Sequence, residues 1–93
     1  MKDIIWFREK VVPTLTGYTI KYSSFKDGDL GDLERIEIEG YEKGVSIDIW
    51  SSNWLGVHAI DYKSDEEKIN ILLEPNQYLE KEKIFRELER ILR

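Results

Sequence analysis

The sequence predicts an α+β fold: a five-stranded antiparallel meander sheet with an N-terminal and a C-terminal helix, in the order α-β-β-β-β-β-α. Three observations carry this reading. The middle of the chain alternates apolar and polar residues in five successive runs. Every connection between those runs is too short for the crossover that parallel strands need. The two ends instead repeat apolar residues at helical spacing, and a helix packed on a meander closes such a sheet.

Asp3 is placed to cap a short helix reaching about Val11, with Ile4, Ile5, Phe7, Val11 and Val12 forming a broad apolar side and Pro13 ending it. From Gly17 to Phe25, Tyr18, Ile20 and Tyr22 alternate with Thr19, Lys21 and Ser23, a strand pattern. The polar run Lys26 to Asp32 holds two glycines and reads as a connection. A second strand follows from Leu33 to Glu39. Val45 to Trp50 and Trp54 to Tyr62 read as a hairpin, and Lys68 to Leu73 as the fifth strand. Pro75 is expected in the first turn of the last helix, where its missing N–H costs nothing. Tyr78, Lys81, Ile84, Phe85, Leu88, Ile91 and Leu92 then mark that helix to the end of the chain.

The register follows from keeping apolar side chains on one face, because a slip of one residue would turn them all to water. Ile49 opposes Leu55, Ile47 opposes Val57 and Val45 opposes Ala59. Ser51, Ser52 and Asn53 are left as a three-residue loop, with Asn53 in the left-handed position. By the same rule Ile36 opposes Ile47, and Val57 opposes Ile71. One face is then wholly apolar and awaits the C-terminal helix. The other is mixed. It carries Leu33, Arg35, Glu37, Ser46, Asp48, Trp50, Trp54, Gly56, His58, Ile60, Asn70 and Leu72.

Ninety-three residues make one domain, spanning 1–93. A hydrophobic content of 41% is enough for one core and argues against disorder. There is no cysteine, which removes disulfides and thiolate metal sites and fits a reducing compartment. No run is long and apolar enough for a signal peptide or a membrane span, so a cytoplasmic location is expected. The net charge is −5, a balance that disfavours nucleic acid and anionic membranes as partners. The charge is also unevenly spread. Asp27 to Asp48 holds eight acidic residues against Arg35 and Lys43, whereas Lys81 to Arg93 holds five bases against three acids. A polarised chain of this kind favours a partner of opposite sign at the acidic part.

Asp27, Asp29, Asp32, Glu37, Tyr41, Asp48, Trp50, Trp54 and His58 are the candidate partner-binding residues. Trp50 opposes Trp54 at the hairpin end, with Gly56 leaving room beside them, and tryptophan dominates interface hot spots. The competing reading is that the N-terminal helix folds over this face and buries both rings. For the acids, the competing reading is a solvated loop and a charge-guarded edge. Arg35 and Asp48 are expected to pair locally across their strands. No metal site is expected. A calcium loop starting at Asp27 needs ligands where Gly31 and Ile38 stand. No catalytic constellation or cofactor is expected either. His58 is the only histidine, alternation puts Asp61 on the opposite face, and no phosphate loop or dinucleotide fingerprint is present. Lys81, Lys83, Arg86, Arg90 and Arg93 read as a solvated helix face laced with pairs such as Glu82 with Arg86 and Arg86 with Glu89.

Asp29-Leu-Gly-Asp-Leu-Glu-Arg-Ile36, the run Gly44 to Ser52, Trp54-Leu-Gly56, Asp61-Tyr62 and Asn70-Ile-Leu-Leu-Glu-Pro75 together resemble small bacterial immunity proteins. These are cognate inhibitors of polymorphic toxins, including those of contact-dependent growth inhibition. The resemblance implies a non-enzymatic cytoplasmic protein that binds one toxin domain, often a nuclease with a basic cleft that an acidic inhibitor suits. Individual binding residues are not carried over. Two other readings stand beside it. One is an interaction module that dimerises through the mixed sheet face. The other is a small-ligand domain using His58, Asp48 and a pocket under the N-terminal helix.

Overall fold

A computed structural model describes residues 3–93. Helix α1 (Ile4–Trp6) runs directly into a wider-wound turn (Phe7–Val11) and a tight final turn (Val12–Thr14). Strands β1 (Thr19–Gly28), β2 (Gly31–Gly40), β3 (Lys43–Trp50), β4 (Leu55–Asp61) and β5 (Glu66–Leu73) follow, and helix α2 (Tyr78–Leu92) ends the chain. The strands form one antiparallel sheet in the order β1-β2-β3-β4-β5. This is the expected α+β meander.

The expected register holds at each position argued from the apolar pattern. Ile36 pairs with Ile47, Ile49 with Leu55, Val45 with Ala59, and Val57 with Ile71. The Asn53 N–H donates to the Trp50 carbonyl at 2.9 Å, and Asn53 has φ +71°, the left-handed residue that closes a three-residue hairpin loop. The β2–β3 turn is tighter. Gly40 pairs with Lys43, so Tyr41 and Glu42 alone form the loop, both at positive φ (50° and 58°). That is the mirror-image turn that matches strand twist, made here without glycine.

Both helical segments lie on the same face of the sheet, and this settles which face is the core. Phe7, Val11 and Leu15, four residues apart, are buried together with Phe85, Leu88 and Leu92 of α2. Beneath them lie Ile36, Ile38, Val45, Ile47, Leu55, Val57, Ala59, Ile69 and Leu73, all buried. The Phe7 and Phe85 rings meet at 5.6 Å between centroids and join the two helices over the sheet. Among the described residues no helix covers the opposite face, so the alternative in which α1 seals that face is excluded.

Two local expectations are corrected. Asp3 does cap the first turn, its carboxylate accepting the Trp6 N–H at 3.1 Å, but the helical winding continues through Pro13 to Thr14. A proline tolerates the tight last turn because its ring only forbids a donor there. Pro75 lies before α2 rather than inside it. The helix begins at Tyr78, and the Gln77 side chain instead accepts the Glu74 N–H at 2.7 Å, making a turn of the segment assigned from sequence to the helix.

Three long-range side-chain bonds to backbone carbonyls fix α2. The Tyr18 hydroxyl donates to the Leu92 carbonyl at 2.9 Å and Lys43 Nζ to the Ile91 carbonyl at 2.8 Å, satisfying acceptors at the helix C-terminus. At the other end Lys81 Nζ donates to the Asn53 and Pro75 carbonyls at 2.7 and 2.9 Å, tying α2 to the hairpin tip. Lys81 therefore departs from the solvated helix face expected of it, and desolvation lowers its pKa. On the exposed face Glu82 pairs with Arg86 as expected, whereas Glu89 pairs with Arg93 and Arg90 with Glu87.

Phe7→Ala removes the ring that joins α1 to α2 and is expected to cost about 3–5 kcal/mol, whereas Ile5→Ala, at an exposed position, is expected to stay within about 0.5 kcal/mol. Glu42→Gly is expected to stabilise the fold by roughly 0.5–1 kcal/mol by relieving the left-handed backbone. Urea titration followed by far-UV circular dichroism measures all three.

Candidate functional site

The uncovered sheet face is the candidate site, and strand alternation decides what it displays. Its first row, Phe25, Leu33 and Trp50, comes from β1, β2 and β3 in mutual register. The next row is Ser23, Arg35, Asp48, Gly56 and Leu72. A third is Lys21, Glu37, Ser46, His58 and Asn70, and a fourth holds Thr19, Glu39, Gly44 and Ile60. One end of the face is thus apolar and the other is rich in carboxylates.

At the apolar end a methyl group on Gly56 would lie 3.3 Å from Cζ3 of Trp50, which places the indole over the bare backbone of β4. Leu72, 53% exposed, is the register partner of Gly56 on the far side, and Phe25, 48% exposed, completes the cluster through Leu33. Trp50 itself is half-buried. Trp54 has a different setting. Its carbonyl accepts the Trp50 N–H at 3.1 Å, but the residue lines a cavity of about 250 Å³ on the helix side with Ile4, Leu55, Tyr78 and Phe85. The structure brings the two residues together in the backbone ladder, and no ring–ring contact joins them among the described residues.

Arg35 and Asp48 separate the two ends. Arg35 Nε and Nη2 donate to the two oxygens of Asp48 at 2.6 and 3.1 Å, a bidentate fork, and the guanidinium stands 5.4 Å from the Phe25 ring centroid. The hydrogen bond to Asp48 raises the pKa of Arg35 further. Asp48 is therefore committed inside the protein.

At the polar end Glu37, Glu39, Ser46, His58, Ile60 and Tyr62 line a shallow basin of about 240 Å³. Its floor is Gly44, and a side chain there would strike the Tyr62 ring, with Cζ only 2.9 Å away. The Tyr62 hydroxyl points to Glu39 Oε1 at 3.5 Å. His58 Nε2 lies 3.0 Å from Glu67 Oε2, and this bond lowers the Glu67 pKa. His58 is thus engaged by Glu67, and it lies with Asp48 on the face away from α1, so no pocket under α1 joins those two residues.

The eight acids of the tract do not form one patch. Glu37, Glu39 and Asp48 share the uncovered face. Glu34 turns to the helix side and meets Arg8 at 3.5 Å. Glu42 and Tyr41 form the β2–β3 turn, where the Tyr41 hydroxyl donates to the Thr16 carbonyl at 3.0 Å and its ring packs on Tyr18. Asp27 and Asp29 are exposed near the β1–β2 turn, beside the apolar end. Asp32 fastens that turn: it accepts the Asp27 N–H at 3.1 Å, and its own N–H donates to Ser51 Oγ at 2.9 Å. Gly31, at φ +98°, leaves room for the Ser51 hydroxyl, while the Ser52 hydroxyl bonds the Leu30 carbonyl. The β1–β2 and β3–β4 tips are thereby stitched together, a contact between residues about twenty apart that alternation does not reveal.

Among the described residues, no three of His, Asp and Glu converge in a way that holds a metal ion, and no helix is long and apolar enough to cross a membrane.

The Asp27 N–H first and Lys26 second lower the pKa of Asp32. A carboxylate with a depressed folded pKa contributes stability above its unfolded value of about 4, and that contribution is lost as pH falls through the folded value. Asp32→Asn is therefore expected to be less stable than the parent at pH 7, with the difference closing below pH 4. Urea denaturation at the two pH values reads this directly. No protein-family model, curated protein or solved structure matches the chain.

Proposed function

We propose that this chain is an immunity protein that binds a cognate bacterial toxin domain in the cytoplasm and neutralises it by covering its active site. The observation that carries the reading is the uncovered sheet face, on which Phe25, Leu33, Trp50 and Leu72 cluster beside a carboxylate-bearing half. The resemblance of the central segments to small immunity proteins points the same way. Occlusion needs a rigid, aromatic-centred surface and no chemistry. An indole within an apolar cluster that borders polar groups is the composition of an interface anchor. Carboxylates at the rim steer a basic nuclease cleft toward the face and set the salt dependence of association. Trp50 is the anchor in this reading, and Trp54 supports the hairpin from the helix side.

Co-expression in a bacterial host with the product of the adjacent upstream gene tests the proposal. Growth rescue by the intact chain is expected. Trp50→Ala is expected to weaken the complex by roughly 30-fold or more, as hot-spot truncations of about 2 kcal/mol do. Trp54→Ala is expected to lower thermal stability with a smaller effect on affinity. An upstream product without toxicity, or a Trp50→Ala chain that binds as tightly as the parent, sinks the reading.

A further inference from the structure

The uncovered face is asymmetric, and its asymmetry describes what docks there. This inference rests on the protein-binding reading of that face. We infer that the partner presents an arginine to the Gly44 basin and a bulky apolar side chain to Trp50, the two separated by about six residues of extended chain.

The arginine follows from the basin's donor-and-acceptor inventory. Glu37 and Glu39 are alternate residues of β2, so both carboxylates rise from the same face about 7 Å apart along the strand. Neither forms an ion pair with a described residue. Lys21 is the cross-strand neighbour of Glu37, and the two make no salt bridge. The Tyr62 ring is exposed and lies across Gly44, and its hydroxyl reaches Glu39 only at 3.5 Å. Two carboxylates beside an exposed aromatic ring suit a flat cation that donates in two directions and stacks. A guanidinium has that shape, whereas an ammonium is a compact, strongly hydrated point charge with no flat face to stack. His58 does not compete, because Glu67 holds it at 3.0 Å.

The apolar anchor and the spacing follow from the sheet. Trp50 and Gly44, the floor of the basin, lie on one face of β3, six residues apart, which is about 20 Å. Between them Arg35 and Asp48 neutralise each other's charge in a bidentate fork. A ligand therefore gains at the two ends and bridges the middle.

Charge decides the occupant's sign. Across the face Glu37, Glu39, Asp48 and Glu67 stand against Lys21 and Arg35, and the chain as a whole carries −5. A second copy of this chain would bring like charge onto like charge, and a phosphate backbone would be repelled. A basic protein segment is complementary.

The test is amide chemical-shift mapping of the ¹⁵N-labelled chain. N-acetyl-arginine amide is expected to shift Glu37, Glu39, Gly44, Ser46, Ile60 and Tyr62 saturably, and the isosteric neutral N-acetyl-citrulline amide is not. Glu37→Gln/Glu39→Gln, with an otherwise superimposable spectrum, is expected to weaken arginine binding roughly tenfold. A seven-residue peptide with arginine first and leucine last is expected to move Leu33 and Trp50 as well, and to bind tighter than a peptide of the same composition with those two residues placed side by side. Equal shifts from citrulline, tighter binding of the lysine analogue, or unchanged binding in the double variant overturns the arginine assignment. Equal affinity of the two peptides overturns the spacing. Sedimentation showing a dimer that excludes both probes assigns the face to a second copy and overturns the inference. These probes read the face whether or not the partner is a toxin. A chain that rescues growth but ignores arginine defeats this inference alone.

Discussion

The packing of both helices on one side of the sheet is the constraint on which the rest depends. Phe7 and Phe85 meet above Ile36, Ile38 and Ile47, and every one of these residues is at most 2% exposed. A small domain has apolar surface for one core only. Once α1 and α2 share that core, no described element remains to cover the second face, so its side chains face water. Antiparallel sheets commonly leave one face wet, and a purely polar face would carry no message. Here Phe25, Leu33, Trp50 and Leu72 sit on the wet side, where burial within the chain does not explain them.

Alternation made the sheet legible. Ile36, Ile47, Val57 and Ile71 align across four strands because any other register exposes one of them, and the loop residue Asn53 follows from counting what is left over. The helix placement was not legible in the same way. Ile4, Ile5, Trp6 and Phe7 are apolar in succession, so periodicity does not say which of them faces the sheet or which side of the sheet is chosen. The structure buries Phe7 and exposes Ile5. The bonds from Tyr18, Lys43 and Lys81 to backbone carbonyls were equally hidden. They join residues 74, 48 and 28 positions apart and depend on chain ends meeting in space.

The acidic tract shows why a run of charge in sequence is a poor map of charge in space. Alternation along β2 sends its acids to opposite faces, so Glu34 faces Arg8 while Glu37 and Glu39 face away. Asp32 is spent on a turn and Asp48 on Arg35. What survives as available charge on the uncovered face is a smaller set, and it adjoins Tyr62 rather than Trp50. The aromatic and acidic features that coincide in sequence are thus separated along the strands, and a surface with two distinct ends results.

That separation bears on mechanism. A face that recognised only charge would bind any basic protein, and a face that recognised only an apolar ring would associate with itself. Two unlike subsites held at a fixed distance by a rigid ladder require a partner to satisfy both at once, and discrimination between partners is the difference between satisfying two and satisfying one. The Arg35–Asp48 fork contributes by keeping the middle inert. A free Arg35 there would repel a basic partner, and a free Asp48 would blur the acidic end into the apolar one. Neutralising both inside the protein leaves the ends chemically distinct, and the contrast between them, rather than the area of the face, is what sets its selectivity.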